Sequence, residues 1–160
     1  MRNDLKALCT LVAPPARPVL GERSWEWVQA ELGTRLPADY VEFMETYGGG
    51  TFARCLNLWT PLDPQGLTHL AREATADALD MAAFLDEGPS LPMWPEPGGF
   101  LPFGENVEGD KLGWLTTGDP DRWPLVFLAR YLEDDEQEPP LPSRSPARSS
   151  TGWAGGRCRR

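Results

Sequence analysis

The stretch Arg35–Leu56, RLPADYVEFMETYGGGTFARCL, carries the clearest structural pattern of the chain, because it predicts a helix that ends at a defined point. Pro37 suits the first helical turn, where no amide donor is needed, and Asp39 places a negative charge near the positive end of the helix dipole. Four apolar residues then recur at helical spacing and form one apolar stripe: Tyr40, Phe43, Met44 and Tyr47. The glycines that follow end the helix.

The glycine triplet Gly48–Gly50 has two interpretations. A glycine-rich loop can cradle phosphate, but a P-loop places its glycines before a helix and follows them with Lys and then Ser or Thr. Here the glycines follow a helix, and no lysine is near. The sequence therefore favours a structural role, in which the glycines allow a tight reversal that brings Thr51 and Phe52 into an extended segment beside the helix.

Outside this stretch the pattern predicts three further helices and several strands. Helical spacing of apolar residues indicates helices over residues 3–12, from Ser24 to Gly33, and over Leu67–Leu85. Runs rich in aromatic and branched residues indicate strands in 51–60 and in the segments FLPFG, KLGWLTT and PLVFLARYL. We therefore predict a single α+β domain over residues 1–132, an antiparallel sheet with helices packed on it.

Residues 133–160 differ in composition from the rest of the chain. They begin with the acidic run EDDEQE and continue with a stretch dominated by Pro, Ser, Arg and Gly. Such a segment buries too little apolar surface to fold alone, so we predict a disordered, acidic and then basic tail.

The distribution of charge bears on the kind of partner. Residues 1–138 hold ten basic and all 24 acidic residues, a net charge of −14, whereas residues 139–160 carry +5. An acidic surface repels nucleic acid and membranes and attracts basic partners. The alternative is that the acidity only keeps the protein soluble. We expect neither nucleic acid nor a membrane as a partner.

Cysteine usage and the amino terminus indicate the cytoplasm. The three cysteines are widely spaced and contain no CxxC pair, so neither a disulfide framework nor a zinc site is indicated: Cys9, Cys55 and Cys158. No apolar run approaches the ~20 residues needed to cross a bilayer. The amino terminus also lacks a basic segment followed by an apolar one, so export by the usual route is not expected.

Residues with catalytic or metal-binding potential form no recognisable motif. His69 is the only histidine, so no two-histidine metal site can form, and the sequence supplies no catalytic partner for it. Glu105, Glu108 and Asp110 offer oxygen ligands for calcium, but they fail the spacing of an EF-hand. A carboxylate pair for glycoside hydrolysis has no specificity among 24 acidic residues. We expect no enzyme activity, no metal and no cofactor.

Three blocks of the sequence occur in a characteristic order. The first reads W…LG..LP.DY..F...YGGG from Trp25 to Gly50, and the second is the proline-rich loop and strand WPEPGGFLPFG from Trp94 to Gly104. The third comprises Asp110, Trp114, Asp119–Asp121 and Trp123–Pro124. In this order the blocks resemble the SUKH superfamily, and the resemblance covers residues 24–128.

The resemblance implies a protein that binds other proteins without catalysis. The superfamily includes the yeast Smi/Knr-type cell-wall regulator and many bacterial immunity proteins that neutralise secreted polymorphic toxins. The favoured hypothesis is an immunity protein that binds a toxin domain stoichiometrically. The acidic surface suits a basic toxin such as a nuclease, because complementary charge speeds association. The alternative is a regulatory interaction module unrelated to toxins.

The candidate partner-binding residues come from the proline-rich loop, the acidic hairpin and the turn that follows it. They are Trp94, Glu96, Glu105, Glu108, Asp110, Asp119 and Asp121. A rigid loop can hold a tryptophan in a defined place, and exposed carboxylates can face a basic partner. Competing roles stay open, because Trp94 can belong to the core, and Asp110 and Asp119 can merely shape turns.

Overall fold

The structure is a computed structural model that describes residues 3–84 and 91–129. The helices are α1 (Asn3–Leu11), α2 (Trp25–Leu32), α3 (Ala38–Tyr47) and α4 (Leu67–Phe84). The strands are β1 (Gly50–Phe52), β2 (Leu56–Leu58), β3 (Phe100–Asn106), β4 (Lys111–Leu115) and β5 (Leu125–Leu128). Leu85 at the end of the predicted long helix, the predicted domain boundary at residue 132 and the predicted tail 133–160 lie outside the described residues.

The five strands form an antiparallel sheet in which each strand pairs with the next one along the chain. The run 51–60 forms two strands, because Ala53 and Arg54 adopt positive φ angles of 48° and 61° and reverse the chain between β1 and β2. With the four α-helices, this sheet confirms the predicted α+β class.

A short 3-10 helix, Pro120–Arg122, lies between β4 and β5. The side chain of Asp119 caps this helix by accepting a hydrogen bond from the amide of Asp121 at 3.2 Å. Helix α2 has the predicted ends. Ser24 accepts a hydrogen bond from the amide of Trp27 at 3.2 Å, and Gly33 closes the helix in the left-handed region with φ of 69°.

The glycines after α3 are required by close packing of the chain. Gly48 has φ of 76°, and its amide donates a hydrogen bond to the carbonyl of Met44 at 2.7 Å, so it ends the helix as predicted. A Cβ atom at Gly48 would lie 2.3 Å from the amide nitrogen of Val19, and one at Gly49 would lie 2.7 Å from the Cα of Thr60. The glycines therefore let two other segments approach the end of α3.

An aromatic cluster fixes α3 on the sheet. The Tyr40 ring meets Trp114 edge to face at 4.9 Å between centroids, and Phe103 stacks on Trp114 at 4.0 Å. Such pairs contribute about 0.5–1.5 kcal/mol beyond the area they bury. Burial raises the pKa of the Tyr40 phenol, and its hydroxyl has no hydrogen-bond partner among the described residues. The cluster therefore holds α3 mainly by apolar packing.

Candidate protein-binding site

The connection between β3 and β4 is organised by the side chain of Asn106. Its Oδ1 accepts hydrogen bonds from the amides of Glu108 and Asp110, each at 2.9 Å, and its Nδ2 donates to Asp110 Oδ2 at 2.7 Å. Gly109 has φ of 91°, a conformation that glycine adopts without strain. The Asp110 carboxylate is thus engaged within the hairpin, whereas the side chain of Glu108 projects into solvent.

Glu105 stands opposite Lys111 in the register of β3 and β4. The Glu105 carboxylate forms a salt bridge with the Lys111 ammonium, which also lies 5.8 Å from the centroid of the Trp59 ring. Cross-strand neighbours of opposite charge stabilise a sheet modestly. Glu108 makes no ion pair within residues 3–84 and 91–129.

The second acidic group, Asp119 and Asp121, fastens the 3-10 turn to the start of α3. Asp121 Oδ2 accepts hydrogen bonds from Nη1 and Nη2 of Arg35, each at 3.1 Å, and Asp119 Oδ1 accepts one from Nη2 at 3.0 Å. The hydrogen bond to Asp121 raises the pKa of the Arg35 guanidinium, aided by the charges of both aspartates and opposed by partial desolvation. The two carboxylates therefore share one arginine.

Asp121 also caps α3 from a distant part of the chain. Its Oδ1 accepts a hydrogen bond from the amide of Ala38 at 2.7 Å. The residue at the N-cap position, Pro37, makes no side-chain cap hydrogen bond, so the amide of Ala38 takes its acceptor from the turn before β5. A carboxylate at this end also meets the positive end of the helix dipole.

The proline-rich loop places its two candidate residues differently. Trp94 is 8% exposed and belongs to the core, where its Nε1 donates a hydrogen bond to the carbonyl of Leu32 at the end of α2, at 3.1 Å. Glu96 is exposed, and its backbone is held by hydrogen bonds to Met93 and from Gly99 at 3.0 and 2.8 Å. The loop is therefore fixed by the core, with Glu96 on its surface.

The seven candidate residues do not form one surface along the sheet. Glu105, Glu108 and Asp110 lie at the end of the sheet where β4 begins, and Asp119 and Asp121 follow the end of β4. The loop with Trp94 and Glu96 precedes β3, whose first residue pairs with the last of β4. The loop and the 119–121 turn thus share one end of the sheet, and the hairpin lies at the other. The assignment of these residues to partner binding stays a prediction.

Sequence reasoning missed the residues that complete these groups. Arg35 lies 84 and 86 residues away from the aspartates it contacts, so no local pattern points to it. The contact of Lys111 with Glu105 could have been predicted from the sequence, because a hairpin after Glu105 places the two side chains near each other on neighbouring strands. The role of Asn106 in the turn could also have been predicted, since the asparagine side chain commonly accepts hydrogen bonds from backbone amides in turns.

Among the described residues there is neither a membrane-spanning helix nor a cluster of metal ligands. None of its helices combines the length and apolar character needed to cross a bilayer. Within residues 3–84 and 91–129, no three His, Cys, Asp or Glu side chains are grouped so that they could hold a metal ion. His69 lies beside Glu73, with 3.3 Å between Nε2 and Oε1, on an open part of α4.

Comparison with known proteins gives one match. The family model described as the SMI1 / KNR4 family (SUKH-1) matches residues 20–144. No curated protein matches the chain, and no solved structure matches it. The family match extends beyond residue 132, the predicted end of the domain, and that boundary stays a prediction. Because the match covers most of the 160 residues, it confirms the resemblance found in the sequence, and the chain belongs to the SMI1 / KNR4 (SUKH-1) family.

Proposed function

We propose that this protein is a cytoplasmic, non-catalytic immunity protein that neutralises a polymorphic toxin by binding its toxin domain stoichiometrically. Membership of the SMI1 / KNR4 (SUKH-1) family carries the proposal. The excess of acidic residues supports its finer part, a basic toxin domain such as a nuclease, because a nucleic-acid-binding surface is positively charged.

The acidic hairpin is the surface that fits this function best. Asn106 fixes its backbone, so the charges are presented without a large ordering cost on binding. Glu108 is exposed, and Glu105 and Asp110 lie beside it at half-buried positions. Carboxylates at such a site steer a basic partner during encounter, and any that become desolvated against an arginine contribute to affinity. We propose this hairpin as the main acidic contact with the toxin.

The test is co-expression of this protein with a candidate toxin domain from a neighbouring gene. We expect growth to be rescued and a one-to-one complex to co-purify, as measured by size-exclusion chromatography with light scattering. A matched control uses a toxin with an inactivated active site, which should form the same complex without affecting growth. A folded protein that neither rescues growth nor binds the toxin would contradict immunity and favour the alternative, a regulatory interaction module.

A further inference from the structure

A groove of about 390 Å³ opens where the glycines after α3, strand β2 and the first turn of α4 meet. Its lining includes Gly49, Gly50, Asn57, Trp59, Asp63 and Gln65. A Cβ atom at Gly50 would meet no heavy atom within 4 Å, so the groove is open beside this residue. Its volume is at the lower end of the range for ligand sites, ~300–1,000 Å³, so it suits one side chain better than a long peptide.

Asp63 gives the groove its charge. It is the only charged residue of the lining, and its side chain is half-buried. One carboxylate oxygen, Oδ1, accepts a hydrogen bond from the amide of Gln65 at 2.8 Å, which orients the group. Within residues 3–84 and 91–129, no cationic side chain lies at ion-pair distance from Asp63. A carboxylate in this setting favours a cation that enters the groove from outside.

The uncharged side chains that line the groove indicate which kind of cation it binds. The side-chain amides of Asn57 and Gln65 make no hydrogen bond within the described part of the chain, so their oxygens can accept from a ligand. A metal ion such as calcium needs six to eight oxygen ligands with more negative charge than one carboxylate supplies. A guanidinium offers five N–H donors in a plane and an apolar stem, which can pack along the buried wall formed by Trp59.

The groove and the acidic hairpin are neighbours on the sheet. Asn57 on β2 stands directly opposite Glu105 on β3, and the Lys111 ammonium that pairs with Glu105 lies over the Trp59 ring. A basic protein surface that meets the hairpin is thus brought next to the groove. We propose that the groove receives an arginine side chain of the protein partner, held by the Asp63 carboxylate and neighbouring amide oxygens.

This inference deepens the proposed function by naming the anchor that the partner inserts. It rests on that function for the partner's identity, but binding of an arginine side chain can be measured without any toxin. The full chain, labelled with 15N, is titrated with the tripeptide Ac-Gly-Arg-Gly-NH2 and, separately, with the same peptide carrying citrulline. Citrulline has nearly the shape of arginine but no charge, so it isolates the contribution of the guanidinium cation.

We expect the arginine peptide to shift the amide signals of Gly49, Gly50 and Gly66 with a Kd of about 1–10 mM, the affinity of a weak single-anchor contact. Asp63→Asn, which keeps an oxygen for the Gln65 amide, should weaken binding by about fivefold or more, because the charge-assisted bond is lost. Asp77→Asn, on an exposed part of α4, is the matched control and should leave binding unchanged.

Asn57→Asp provides a second variant that does not depend on how Asp63→Asn folds. It adds a carboxylate at an exposed position of the lining, and we expect it to tighten binding of the arginine peptide several-fold. Equal shifts with the citrulline peptide, or no groove shifts with either peptide, would overturn the inference. Failure of this titration leaves growth rescue unaffected, and failure of rescue leaves the titration unaffected.

Discussion

Two acidic groups stand at opposite ends of β4 and use the same chemistry for different purposes. Asp119 and Asp121 share Arg35, and Asp121 caps α3 through the amide of Ala38. In the hairpin before β4, Glu105 pairs with its cross-strand neighbour and Glu108 points into solvent. The first group joins a turn to a helix that is distant in sequence. The second makes its ion pair and hydrogen bonds within the hairpin, and its remaining charge can attract a partner.

The difference shows that acidic composition alone does not identify a binding surface. A carboxylate contributes to the fold where it accepts hydrogen bonds that would otherwise be missing, as at the first turn of α3. A carboxylate that lies in water, such as Glu108, adds little to stability but contributes to the field that attracts a charged partner. Loss of charge at Asp121 should therefore lower the stability of the fold, whereas loss of charge in the hairpin should slow association with a charged partner.

The largest expected effect is on stability and concerns Asp121. Asp121→Ala removes the cap of α3, and we expect the free energy of unfolding to fall by about 1–2 kcal/mol, measured by urea denaturation. Asp121→Asn keeps an acceptor for the Ala38 amide and should lose less. Glu108→Ala is the matched control and should stay within about 0.5 kcal/mol of the wild type. An Asp121→Ala protein as stable as this control would refute the capping role.

A smaller effect is expected on association with the toxin domain. Replacing Glu105 and Glu108 by Gln, and Asp110 by Asn, removes charge while keeping hydrogen-bonding atoms. We expect the association rate at low salt to fall about three- to tenfold and its salt dependence to become shallower, as measured by stopped-flow fluorescence. Dissociation should change less, since exposed charges act mainly during encounter. An unchanged association rate at low salt would remove the hairpin from the proposed interface.

The smallest effect is expected for Glu105→Gln alone. The side chains of Glu105 and Lys111 are 35% and 30% exposed, so water screens their salt bridge. We expect the free energy of unfolding to change by less than about 0.5 kcal/mol in the same urea experiment. A loss above about 1 kcal/mol would instead mean that the pair behaves as a buried one and belongs with the structural carboxylates.

Much of the fold could be predicted because its signals are local. Ser24 and Gly33 limit α2, and the spacing of Tyr40, Met44 and Tyr47 defines the buried side of α3. The candidate site was less predictable. The sequence indicated acidic turns, and a hairpin after Glu105 could place Lys111 opposite it. No local pattern, however, indicated that Asp119 and Asp121 would meet Arg35. Trp94 is an example, because the sequence of the proline-rich loop is compatible with either an exposed or a buried ring. In the structure the ring is buried in the core.

The helices, the strands, the family and the excess of acidic charge could be inferred from the sequence, because they depend on residue types, their spacing and the composition of the chain. The role of each charge depends on the tertiary structure. It brings Arg35 to Asp121 across 86 residues, and it places Asp63 in a groove beside the glycines after α3. The physical reason is that a carboxylate takes its role from the donors, cations and water that the folded chain places around it.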